Sequence, residues 1–187
     1  MPTILAVSGS PSPVSFTHQV LTLTAERLRE RGHQVDTLAV RGLPAAPLLA
    51  GDTTDPQLAA AAARLAGADA VVLATPVYKA GCSGLLKAFL DVLPQYALAG
   101  KVVLPLATGG SPAHVLALDY GLRPVLMSMR PAAVAESFFV HADRSRQGPG
   151  GLAPETGARL DGVTGRFAAL VDALAVRHPA PRQALAA

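Results

Sequence analysis

The stretch Thr3-Ile4-Leu5-Ala6-Val7-Ser8-Gly9-Ser10-Pro11-Ser12-Pro13-Val14-Ser15-Phe16-Thr17 decides how this chain is read. An apolar run over residues 3–7 ends in a hydroxyl-rich turn, and helix-patterned sequence follows over residues 15–31. A buried strand, a turn and a helix N-terminus in that order bring backbone N–H groups and the positive end of a helix dipole to one place. Such a corner suits an anion, and a phosphate is the natural guest. The same residues also allow a plain turn, capped by Ser15 and stiffened by prolines.

Working outward, apolar runs recur at residues 34–40, 70–75, 102–107 and 132–140. Helix-patterned segments lie between them at 56–66, 83–93 and 114–129, with a last one at 154–176. Strands that read as continuous apolar runs and alternate with helices predict a parallel sheet buried on both faces. The expected class is α/β, with five parallel strands and helices on both faces. Gly32, Gly67 and Gly100 punctuate the pattern, and Ser83 is placed to cap a helix. Residues 141–151 are polar and read as a surface loop.

The chain has 187 residues, half of them apolar, which is enough for one buried core. It reads as one domain over residues 1–177, with a disordered tail at 178–187. The formal net charge is +3, but the basic residues are scattered and form no nucleic-acid patch. Cys82 is the sole cysteine, which excludes an intramolecular disulfide and a cysteine metal cluster. No leader pattern and no apolar stretch of about 20 residues is present, so a cytoplasmic protein without a membrane partner is expected.

In an open parallel sheet, ligands bind beyond the carboxyl ends of the strands. Three loops therefore carry the functional reading. The first offers Ser10, Ser12, Ser15 and Thr17, but neither a G-x-G-x-x-G fingerprint nor a P-loop lysine. The second, after the third strand, runs Thr75-Pro76-Val77-Tyr78-Lys79-Ala80-Gly81-Cys82-Ser83-Gly84. Its proline, its flat tyrosine and its glycines suit a planar ligand, although a stiffened surface turn reads the same way. The third, Thr108-Gly109-Gly110-Ser111-Pro112, lets backbone N–H groups reach a ligand edge.

Within the helix that follows, Pro124 cannot donate to the carbonyl of Tyr120, which predicts a kink or π-bulge there. Tyr120 becomes a candidate for contact with a cofactor or a neighbouring subunit. There is no G-x-S-x-G elbow and no H-E-x-x-H motif, and His114 and His141 stand alone. Cys82 has no assigned base and reads as an inert thiol. No catalytic acid, base, nucleophile or metal ligand emerges.

Gly9-Ser10-Pro11 with Ser15 and Thr17, then Thr75 through Lys79 and Ser83-Gly84-Leu85-Leu86-Lys87, resemble one known family. The likeness continues through Gly100-Lys101-Val102-Val103-Leu104-Pro105-Leu106-Ala107-Thr108-Gly109-Gly110, then His114, Leu118-Asp119-Tyr120 and Pro124. It is similar to the NAD(P)H-dependent FMN reductases of flavodoxin-like fold, in particular the reductase component of two-component alkanesulfonate monooxygenases. The resemblance covers about the first 140 residues.

It implies that Ser10, Ser15, Phe16 and Thr17 hold the FMN phosphate. Pro76, Val77, Tyr78, Lys79, Thr108, Gly109, Gly110 and Ser111 would line the isoalloxazine and ribityl groups. It further implies NADPH or NADH as hydride donor and a flavin-dependent monooxygenase as partner. A homo-oligomer, dimer or tetramer, would have Tyr120 at its interface as a flavin gate. Two residues depart from the pattern. Phe16 replaces a common arginine, leaving only its backbone N–H for the phosphate, and Cys82 replaces a common tyrosine. An FMN-bound quinone or azo-dye reductase, a flavodoxin-type electron carrier and a scaffold without cofactor are the alternatives. The mild positive charge weighs against the carrier.

Overall fold

The computed structural model describes residues 1–147 and 151–177, so the expected tail at 178–187 lies outside the described residues. In chain order the first half comprises β1 (Thr3–Ser8), α1 (Phe16–Glu30), β2 (Gln34–Ala39), α2 (Ala45–Ala50), α3 (Pro56–Ala66), β3 (Ala70–Tyr78), β4 (Gly81–Cys82) and α4 (Gly84–Asp91). It continues with β5 (Val102–Gly109), α5 (Arg123–Ser128), β6 (Ala133–Val134), β7 (Phe138–His141), α6 (Ala142–Ser145), β8 (Arg146–Gln147), β9 (Gly151–Leu152) and α7 (Pro154–Arg177). Between β5 and α5 lie a 3₁₀ turn, Pro112–Val115, and a π-helical segment, Ala117–Leu122.

The sheet runs β2-β1-β3-β5, with β6 and β7 successively along the outer side of β5, and all of these pairings are parallel. Counting β6 and β7 as one interrupted strand gives the expected five strands in flavodoxin-like order. Successive side chains alternate between two cores, as the pleat requires. Leu5, Val7, Val71, Leu73 and Val103 enter the layer under α3, α4 and the π segment. Ile4, Ala6, Val72, Leu104 and Leu106 enter the layer under α1 and α7. Among the described residues no helix is long and apolar enough to cross a membrane.

Four sequence expectations are corrected here. The third strand continues to Tyr78, so Pro76, Val77 and Tyr78 belong to β3 and not to a loop; Pro76 pairs in register with Thr108. The fifth strand does not run unbroken over 132–140. Between the pairs Val103↔Val134 and Leu106↔Phe138, β5 has two residues and the outer strand has three, which is a bulge. It lies beside Pro105, which has no N–H to give to a partner strand. The segment 114–129 carries the π turn expected at Tyr120, where Pro124 removes a donor, but it opens as a 3₁₀ turn and not as α-helix, so that three helical geometries follow one another. Residues 141–151 form more than a loop: α6 and a small β8–β9 ladder occupy the part that is described.

Candidate functional site

The three loops meet at the carboxyl edge of the sheet. Gly9 donates to the Ala74 carbonyl at 2.8 Å, and the Ser83 hydroxyl donates to the Gly9 carbonyl. Ser83 also caps α4 by accepting from Leu86 N–H at 3.1 Å, while its own N–H donates to the Thr75 hydroxyl at 2.9 Å. Loop one is thereby tied to the end of β3 and the start of α4. A Cβ on Gly9 would lie 2.6 Å from the Leu86 Cβ, so only glycine permits this close packing.

Ser15 caps α1, its hydroxyl accepting from His18 N–H at 3.2 Å. Ser10 accepts from Ser12 N–H at 3.3 Å. The Thr17 and Thr108 hydroxyls lie 2.6 Å apart, joining the first turn of α1 to the end of β5 across 91 residues of sequence. Ser10, Ser15, Thr17 and Thr108 are all buried. Their hydroxyl protons outnumber the acceptors that the described residues give them. Ser10 and Ser15 act only as acceptors here, and the threonine pair needs just one of its two protons. Buried donors without an acceptor are costly unless something else accepts from them.

Phe16 is the first residue of α1, and the residue is 6% exposed, in the core layer that also holds Val20 and Leu160. Its side chain is a packing element, and only its backbone belongs to the helix terminus. Tyr78 is half exposed, and Lys79 is exposed in the two-residue turn between β3 and β4. Gly109, Gly110 and Ser111 close β5, and Ser111 caps the 3₁₀ turn by accepting from Ala113 N–H at 3.3 Å. Against Gly109 lie His114 and Phe139, where an added Cβ would come within 3.0 Å of His114 Nδ1. That nitrogen is buried and lacks a hydrogen-bond partner. Sequence reading set His114 aside, because no local pattern predicts which strand end a 3₁₀ turn folds over.

Tyr120 stands on the π segment and is 79% exposed. Cys82 is half-buried, and desolvation pushes its thiol up, which keeps it protonated and unreactive at neutral pH. Lys101 sits at the opposite edge of the sheet. Its amine donates to the carbonyls of Ala66 and Ala68 at 2.9 and 2.6 Å, and burial pushes its pKa down, so its place is structural. No group of three or more His, Cys, Asp or Glu side chains placed to hold a metal exists among the described residues.

The arrangement offers buried hydroxyls and a helix N-terminus for an anion, and glycine backbone with a tyrosine face for a flat ring. A family model described as NADPH-dependent FMN reductase matches residues 2–145. An FMN reductase (NADPH) of Pseudomonas putida is 43% identical over 136 residues, 73% of this chain and 69% of that protein. One of Escherichia coli is 40% identical over 136 residues, 73% of this chain and 71% of its own. A solved NADH:FMN oxidoreductase, in its apo form, superposes with a TM-score of 0.83 at 44% identity, covering 91% of this chain and 90% of that one.

Proposed function

Because the chain belongs to the NADPH-dependent FMN reductase family and is an NAD(P)H:FMN oxidoreductase, we propose that its three-loop edge seats FMN and presents it to NADPH or NADH. The observation that carries this seating is the set of buried hydroxyls on Ser10, Ser15, Thr17 and Thr108, which have more protons than the described residues offer acceptors. Phosphate and ribityl oxygens are acceptors of the right kind, so the residues present fit the group. The redox chemistry is the flavin's own, acceptance of a hydride from the reduced nicotinamide.

The chain's part is positioning. Ser10, Ser15 and Thr17, with the backbone N–H groups of Phe16 and Thr17, take the phosphate. Thr108 shares a hydrogen bond with Thr17, so it serves the ribityl side of the flavin. Pro76, Val77, Tyr78 and the backbone of Lys79 flank the ring on one side, and Gly109, Gly110 and Ser111 approach its edge on the other. His114 Nδ1, buried without a partner against Gly109, is a further polar atom that a seated ring can satisfy.

The reading extends to supply of reduced FMN to a flavin-dependent monooxygenase of the organosulfur type, which rests on the motif resemblance. It also includes a homo-oligomer in which Tyr120, exposed on a π turn beside β4, is covered by a second copy. The test is direct. Purified protein should oxidise NADPH or NADH only when FMN is present, and reduced FMN should sustain an added monooxygenase. Absence of flavin-dependent turnover with both nucleotides would end the proposal. Stoichiometric flavin on the isolated protein, with quinones turned over faster than free FMN, would replace supply by a quinone reductase.

A further inference from the structure

The turn between β3 and β4 passes through Lys79 and Ala80, and both have positive φ, 49° and 60°. A two-residue hairpin turn of this hand suits Asn-Gly, since a Cβ in the left-handed region crowds the backbone. Neither residue here is glycine. The turn is held on both sides by the pairs Val77↔Cys82 and Tyr78↔Gly81. Lys79 is therefore carried on a rigid rim beside the exposed Tyr78. Outliers of this kind concentrate where a side chain has a task.

The charge around it is uneven. Lys87 on α4 is neutralised by Asp91 at 2.7 Å, and Arg123 by Asp119 at 3.1 Å. Lys79 has no acidic partner among the described residues. Arg41, another exposed cation at this edge without an acidic partner, follows β2 on the far side of β1. An ammonium that is fixed at its base, exposed and unpaired is a point contact for an anion. The flavin phosphate is already served by loop one, beyond the end of β1. The other phosphate-bearing molecule that must reach the flavin ring is the hydride donor.

We propose that the Lys79 ammonium binds a phosphate of the nicotinamide nucleotide, so that Tyr78 and Lys79 seat the donor while the backbone beneath them serves the flavin. This rests on the FMN-reductase reading above. Both donors carry a pyrophosphate, and NADPH adds a 2′-phosphate, so the chemistry is the same and the source is a matter for experiment.

The test is steady-state kinetics with saturating FMN and varied NADH or NADPH, at low and high salt, for the wild type, Lys79→Gln and Lys79→Arg, alongside FMN titrations of each. Loss of one charge-assisted contact should raise the nucleotide KM of Lys79→Gln about tenfold or more, and Lys79→Arg should recover most of it. The wild-type KM should climb with salt more steeply than that of Lys79→Gln. FMN dissociation constants should stay within about twofold of each other, the ordinary spread for a change that spares the flavin contacts. A rise for NADPH alone assigns the 2′-phosphate, and equal rises for both donors assign the pyrophosphate. Unchanged KM values for both donors would overturn the proposal, as would FMN affinity falling in step with KM. Failure of the wild type itself to turn over with FMN would instead strike the parent reading.

Discussion

The contact between Thr17 and Thr108 is a hydroxyl pair 2.6 Å long between two residues that are each almost fully buried. Thr108→Val keeps the shape and removes one hydroxyl, leaving Thr17 with an unmet partner. Losing a hydrogen bond of this kind costs about 1 kcal/mol and the orphaned hydroxyl adds to it, so FMN affinity should fall about five- to tenfold. Fluorescence titration of FMN reads this directly, and an unchanged dissociation constant would remove the Thr108 hydroxyl from the site. Phe16 poses the opposite question, because its ring belongs to the core while its backbone stands at the helix terminus. Phe16→Arg should lose about 2–4 kcal/mol of stability in urea melts. The new guanidinium should at the same time tighten FMN binding through a charge-assisted contact. A normal melt would mean that the ring contributes little. An unchanged FMN affinity would mean that hydroxyls and backbone amides already suffice.

Among the elements, the β3–β4 hairpin stores strain at both turn residues, since Lys79 and Ala80 adopt a left-handed backbone without being glycine. Ala80→Gly relieves one of them and should raise the thermal midpoint by about 2–4 °C, as about 1 kcal/mol does in a chain of this size. A lower midpoint would show that the turn is not strained. The π segment and the interrupted outer strand are joined by side-chain hydrogen bonds: the Ser137 hydroxyl donates to Asp119 at 3.1 Å, and Arg123 bridges the same two elements. Arg123 donates to Asp119 at 3.1 Å, to the Ser137 hydroxyl at 3.1 Å and to the Ala135 carbonyl at 3.3 Å, inside the bulge beside Pro105. The bulge frees backbone acceptors, and the first residue of α5 supplies the donor that meets them.

At the scale of the whole molecule, acid stability follows from carboxylates spread over its surface. The Arg64 guanidinium hydrogen-bonded to Asp36 holds its carboxyl below the ordinary 3.8. Arg31 does the same for Asp161, across the seam between α1 and α7. Folded values that are lowered confer stability above the unfolded value, and this stability is lost as pH falls through the folded ones. The double variant Asp36→Asn, Asp161→Asn should therefore melt below the wild type at pH 7, with the gap closing under about pH 3. A gap that persists at low pH would assign the difference to packing. Tyr120 belongs to the same scale. At 79% exposure it is the aromatic surface that the homo-oligomer proposed above would cover, and on that proposal Tyr120→Ala should lower the association state in sedimentation runs. An unchanged assembly would take Tyr120 out of the interface.

Much of the architecture was legible in the residues alone, because apolar runs, glycine punctuation and the Ser83 and Ser15 caps are local signals of local geometry. The π turn at Tyr120 was legible for the same reason, since Pro124 deletes a donor at a known offset. The same sequence could not show β3 running on to Tyr78, because Pro76 reads as a stop until its register partner Thr108 is known. Nor could it show that the outer strand bulges beside Pro105, that Phe16 faces the core, or that Thr17 meets Thr108. Short-range sterics and periodicity determine which elements form. Hydrogen bonds between residues far apart in the chain decide where the strands end, and hence how the hydroxyls of three separate loops come to share one edge.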